Sequence, residues 1–65
     1  MKPKRNSIYM FTGKTCRKDW IGKLAVYEDP CTTWKGMDYA FTCDTGYWLM
    51  PHSFFINNFV YIGDV

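Results

Sequence analysis

Thr15-Cys16-Arg17-Lys18-Asp19-Trp20-Ile21-Gly22-Lys23-Leu24-Ala25-Val26-Tyr27 has two readings, and the choice between them sets the fold class. Coiled as a helix, the stretch aligns Cys16, Trp20, Leu24 and Tyr27 on one face behind a Thr15 cap. Extended, it alternates Trp20, Gly22, Leu24 and Val26 with Ile21, Lys23, Ala25 and Tyr27. Gly22 costs a helix interior about 1 kcal/mol relative to alanine, and the β-branched and aromatic content suits a pleated surface. The sequence therefore predicts a strand over Trp20–Tyr27, broken by Glu28-Asp29-Pro30, and an all-β chain. A helix near residues 15–27 is the alternative and would make the domain α+β.

The flanking segments favour the all-β reading. Met37, Tyr39, Phe41 and Cys43 alternate with Asp38, Ala40, Thr42 and Asp44, as in a strand with one face on a core. Asp44-Thr45-Gly46 is a hairpin connection in which Gly46 can take a left-handed conformation, and Tyr47–Met50 returns antiparallel until Pro51, which lacks a ladder N–H. Upstream, Ile8–Phe11 is a strand closed by Thr12-Gly13. Pro51–Phe55 reads as one helical or 3₁₀ turn, Asn57-Asn58 as a turn, and Phe59–Ile62 as the closing strand. Residues 1–6, polar and basic, form a flexible tail, and residues 7–65 a single domain. Five short strands in so small a domain must curl to bury an apolar face, which predicts a small five-stranded barrel.

Gly46-Tyr47-Trp48-Leu49-Met50-Pro51-His52-Ser53-Phe54-Phe55 resembles the SH3 signature, in which a glycine and an aromatic lead through a 3₁₀ turn into Pro-x-x-aromatic-hydrophobic. Gly22-Lys23-Leu24-Ala25-Val26 is similar to its Gly-x-x-Leu-x-Val strand start, and Trp34 falls near the place of a ligand-facing tryptophan. The resemblance spans about half the chain and implies an SH3-like barrel. Thr12–Asp19 is short and basic where signalling SH3 domains carry a long acidic loop. The likeness therefore concerns architecture, and a groove of Pro51, Phe54 and Trp34 would serve a partner other than a proline-rich peptide.

Composition narrows the function. A chain of 65 residues buries only about 60% of its unfolded surface, so five Tyr, five Phe and three Trp are more than a thin core needs, and some rings are expected outside as anchors. Charge is split along the chain. Residues 1–23 hold seven cations against Asp19, net +6, and residues 24–65 hold Lys35 against five carboxylates, net −4. Such a separation predicts a directional field and a binding surface at the basic end.

Motifs for catalysis are sparse. His52 paired with Cys43 or Ser53 would be a nucleophile and base without an orienting third group. Thr12-Gly13-Lys14-Thr15 lacks the earlier glycine of a phosphate loop. Cys16, Cys31 and Cys43 are odd in number and lack the close spacing of a zinc site with His52, so they read as buried reduced thiols. No enzyme, cofactor or metal is expected. With no signal-like or membrane-spanning run, the expected setting is the cytoplasm, away from membranes.

Two binding classes remain. The first is a protein-binding module, monomeric or homodimeric, that docks onto a larger protein through Trp34, Tyr47, Trp48 and Phe54. By analogy of size, it would be a small regulator or inhibitor of the kind phages direct at host enzymes. The second is nucleic-acid binding by the basic third, with Lys14, Arg17, Lys18 and Lys23 on phosphates and Trp20 stacked on a base.

Overall fold

The strand Ser7–Phe11 (β1) sits inside the sheet because it is apolar on both sides and pairs antiparallel with two neighbours, Leu24–Pro30 (β2) and Phe59–Asp64 (β5). Beyond β2 follow Tyr39–Cys43 (β3) and Gly46–Met50 (β4), giving the antiparallel order β4-β3-β2-β1-β5. The computed structural model describes residues 2–32 and 34–65. With one 3₁₀ turn at Lys18–Trp20 and one helix, α1, at His52–Asn58, the domain is of the all-β class. Its strand order is compatible with an SH3-like barrel.

Two irregularities bend the sheet. β2 pairs with β1 through Leu24–Val26 and with β3 through Val26–Pro30, and its register on β3 shifts between Tyr27 and Asp29. β5 shifts against β1 between Ile8 and Tyr9, leaving Ile62 as the extra residue. Bulges of this kind increase local twist and turn a strand from one sheet direction to another. The curled sheet closes through rings rather than hydrogen bonds: Trp48 of β4 lies 5.1 Å from Phe59 of β5.

Three local expectations are corrected. Trp20–Tyr27 is not one strand: Trp20 ends the 3₁₀ turn, Gly22 turns at φ 93°, and β2 begins at Leu24. Glu28-Asp29-Pro30 does not break β2, because the bulge absorbs Glu28 and Pro30 stands at the strand end, where a missing N–H is tolerated. Nor is Asn57-Asn58 a turn. The helix runs through both, longer than the single turn expected from Pro51–Phe55.

Long-range bonds explain that helix. Its first backbone N–H, at His52, donates to Asp38 Oδ2 at 2.7 Å, so a carboxylate from the β2–β3 connection does the work of an N-cap side chain. At the other end Asn58 is fully buried. Its Oδ1 accepts from the Thr15 N–H and hydroxyl, both at 2.9 Å, and its Nδ2 donates to the Phe54 carbonyl at 3.0 Å. The 12–23 loop is thereby fastened to the helix. Its neck is closed by Gly22 N–H to Phe11 O at 2.9 Å and Phe11 N–H to Lys23 O at 2.8 Å.

The core is graded along the barrel. Phe41, Phe55 and Phe59 stack in its centre with interplanar angles of 17–27°. Phe11, Trp20, Trp48 and Phe54 pack together at one end. Tyr9 with Tyr61, and Tyr27 with Tyr39, pair edge-to-face toward the other. Residues 2–6, expected as a tail, lie against this tyrosine end. Pro3 is buried, the Lys4 N–H donates to the Tyr9 hydroxyl at 2.8 Å, and the Asn6 N–H donates to the Tyr27 carbonyl at 3.1 Å.

Candidate functional site

The inward side of each strand is set by the buried positions Tyr9, Phe11, Ala25, Tyr27, Tyr39, Phe41, Met50 and Phe59. Alternation then fixes what points outward. In register across the sheet, the outward row runs Val60, Met10 and Leu24; beside it run Ile8, Val26, Thr42 and Tyr47, with Ala40 opposite Leu49. Polar groups in these rows are Thr42, the Tyr47 hydroxyl and, at one end, Asp29 opposite Ala40. An antiparallel sheet with one face in water ordinarily alternates apolar and polar residues. Here most of the outward face is apolar as well, and Leu24, Leu49, Val60 and Tyr47 are all exposed, Tyr47 by 79%. The signal is legible in the unbroken apolar runs Ile8–Phe11 and Leu24–Tyr27; of the four anchors expected from the sequence, Tyr47 lies on this face.

Those four anchors divide. Trp34 and Tyr47 are exposed. Trp48 and Phe54 are half-buried and pack on Phe11 and Phe59 at the tryptophan end of the core. Tyr47 and Trp48 meet in one cavity of about 160 Å³, with Trp20 and Lys23 in its wall, while Trp34, Phe54 and Pro51 line neither this cavity nor the two larger ones.

The basic set is partly engaged: Arg17 lies over Trp20, and Trp20 and Lys23 line one cavity. Lys14, Arg17 and Lys18 are exposed. Arg17 places its guanidinium carbon 3.6 Å from the Trp20 ring centroid and its Nε 3.6 Å from Asp19. Trp20 meets Phe11 and Trp48 edge-on, so the ring is engaged from several sides. Lys23 pairs with Asp44 at 3.0 Å, which holds the Asp44 carboxyl below its ordinary range. Lys4 with Asp64 and Arg5 with Asp29 also join the basic third to the acidic remainder, at 3.2 and 2.7 Å. Three of the six net charges of residues 1–23 are thus met by carboxylates of the acidic remainder.

The tyrosine end holds two concavities that share Lys2. One cavity of about 580 Å³ is lined by Lys2, Lys4, Tyr9, Phe55, Ile56, Phe59 and Tyr61. A second, of about 510 Å³, is lined by Lys2, Tyr27, Pro30, Asp38, Tyr39 and His52, so Lys2 borders both. His52 Nδ1 lies 2.7 Å from the Tyr39 hydroxyl. Burial, and secondarily Asp38, raises the Tyr39 phenol, so the phenol stays protonated at neutral pH. Its O–H can then donate to Nδ1, leaving the ring proton on Nε2. Tyr27 is 6% exposed, and its phenol is also raised by burial.

The sequence reading paired His52 with Cys43 or Ser53. In the structure the Nδ1 partner is Tyr39, and the Cys43 thiol lies 3.3 Å from the Thr45 hydroxyl and 3.3 Å from the Gly46 carbonyl. Cys16, Cys31 and Cys43 are half-buried free thiols. Among the described residues, no helix is long and apolar enough to cross a membrane. No family model matches the chain, and neither a curated protein nor a solved structure matches it.

Proposed function

We propose that this chain is a non-enzymatic protein-binding module, an SH3-like barrel that docks onto a larger protein and regulates or inhibits it in the cytoplasm. The observation that carries the reading is the apolar outward face of the sheet: Val60, Met10 and Leu24 in one row, Ile8, Val26 and Tyr47 in the next. Contiguous apolar surface of this kind marks interaction sites, and a sheet face offers a broad surface to a folded partner. Leu24 and Leu49 are the anchors this reading adds to Tyr47 and Trp34; Trp48 and Phe54 support it from the core.

Nucleic-acid binding by Lys14, Arg17, Lys18, Trp20 and Lys23 is the weaker reading. Lys23 and Arg17 already face carboxylates, and Trp20 packs edge-on against core rings.

The test is a comparative pull-down from nuclease-treated host lysate, using the wild-type chain and a Leu24→Lys/Val60→Lys variant. Both substituted side chains are exposed, so the variant should keep its fold, checked by circular dichroism. A discrete protein captured by the wild type and lost with the variant supports the reading. Equal capture by both, or loss of all bound material on nuclease treatment, overturns it.

A further inference from the structure

We infer that the tyrosine end of the barrel is a second, separate binding site, which takes an extended peptide segment bearing an acidic side chain close to an aromatic one. This rests on the protein-binding reading only for the class of partner, since its residues are not those of the outward sheet face.

Tyr27 supplies the first observation. Its side chain is more than nine-tenths buried, yet among the described residues its hydroxyl has no hydrogen-bond partner. No sealed, unpaired polar side-chain atom exists among those residues, so the hydroxyl is not closed off, and Tyr27 lines the cavity with Asp38, Tyr39 and His52. Of the nearby tyrosines, Tyr39 meets His52 and Tyr61 donates to Asp64, while the Tyr9 hydroxyl accepts from the Lys4 N–H. A rigid phenol left unpartnered in a cavity is a preorganised donor.

The walls around it select the ligand. With Nδ1 of His52 occupied by Tyr39, the Nε2–H is a second donor, and the Lys2 ammonium on the same wall is a third. Donors in this number suit a carboxylate. Asp38 is the single carboxylate on the wall; one of its oxygens takes the His52 N–H, leaving the other as an acceptor. Three donors beside one acceptor match a peptide, which offers an acidic side chain together with its own main-chain N–H. A lone anion would meet Asp38 as a repulsion.

The adjoining cavity accounts for the other half of the ligand. Its floor is Tyr9, Phe55 and Phe59, its sides are Ile56 and Tyr61, and its lining includes Lys2 and Lys4 but no carboxylate. Ile56 and Tyr61 are 52% exposed each, leaving apolar surface for a ring to cover. Lys4 is already paired with Asp64, so Lys2 carries the charge complementarity from one cavity to the other.

The test titrates the full chain, ¹⁵N-labelled, with capped peptides in which Phe and Glu are separated by glycine spacers of increasing length. A matched series carries Gln for Glu. The expected result is that at least one Phe/Glu peptide shifts the amides of Tyr9, Ile56 and Tyr61 together with those of Tyr27 and His52. Its Gln counterpart should bind about tenfold more weakly, and Tyr27→Phe, which removes one oxygen and keeps the ring, should erase most of that difference. Absence of shifts at this end, equal binding of the Glu and Gln peptides, or an unchanged preference in Tyr27→Phe each overturns the proposal. The Leu24→Lys/Val60→Lys variant separates the two sites. Peptide binding retained there while lysate capture is lost keeps both readings. Capture that depends on the sheet face, with no peptide binding by either protein, removes the tyrosine-end site alone.

Discussion

Asn58 has more structural consequence than its residue type suggests. A buried amide with both ends satisfied couples helix α1 to the 12–23 loop through Thr15 and Phe54. Replacing it by alanine removes three hydrogen bonds at a fully buried amide, two of them to the exposed Thr15, at a cost of about 1–2 kcal/mol. Against a total near 5 kcal/mol for a domain this small, that is a large loss. Asn58→Ala should show it as a lower urea midpoint, and a change below about 0.5 kcal/mol would mean that the clasp contributes little. Gly13 makes a second residue-scale case. At φ 64°, an added Cβ would also lie 2.6 Å from Ile21 Cγ1. Gly13→Ala should therefore lose about 1–2 kcal/mol to backbone conformation alone, with the clash in addition. Combining it with Ile21→Ala should return only the clash, so a double-mutant cycle with no coupling would contradict this geometry.

At the scale of elements, strand β5 holds the chain's beginning through its last turn of backbone. Asp64 accepts from the Tyr61 hydroxyl at 2.8 Å, the Ser7 hydroxyl at 3.0 Å and the Lys4 ammonium at 3.2 Å. In that order these donors hold its carboxyl below the ordinary value of 3.8. A depressed carboxyl contributes stability that is full above its unfolded pKa and lost as pH falls through the lower folded one. The link between residues 2–6 and β5 should accordingly weaken in acid, below about pH 4. The protection factors of the Lys4 and Asn6 amides, the intrinsic exchange rate at each pH divided by the observed one, should fall in that window in the wild type and be flatter in Asp64→Asn. Identical profiles would place the anchor elsewhere. The elements differ in how openly the sequence displays them. β3 was readable because Tyr39 and Phe41 alternate with Ala40 and Thr42 over a period of two, and Gly46, at φ 122°, marked its hairpin. The start of β2 was not: whether Trp20 belongs to a strand depends on Gly22 bonding back to Phe11, a contact local pattern does not encode. Helix α1 was underestimated for a related reason. Asn residues favour turns, and here tertiary partners at Asp38 and Thr15 outweigh that preference.

For the molecule as a whole, chain position proved a poor guide to charge and a better one to bulk. The abundance of rings correctly implied exposed apolar surface, but its location follows from strand registers that composition does not contain. The +6 and −4 segments fold onto each other through Lys4–Asp64, Arg5–Asp29 and Lys23–Asp44, while Arg17 faces Asp19. Individually, such surface pairs add about 0–1 kcal/mol to stability. Their larger effect is on the field, since each paired cation is partly neutralised toward an approaching polyanion. Of the seven cations in residues 1–23, Lys2, Lys14 and Lys18 lack an ion-pair partner among the described residues. Any affinity for single-stranded DNA should then release counterions for about three contacts, a slope of log K on log salt near −2. All seven acting together would give roughly −5 by the same relation. Fluorescence anisotropy of a labelled oligonucleotide across a salt series decides between them. A slope near −2, or binding too weak to fit, agrees with a surface whose charges are spent on each other. A slope near −5 would mean that the ion pairs open on contact and that the basic third acts as one unit, which would move nucleic acid ahead of protein as the partner.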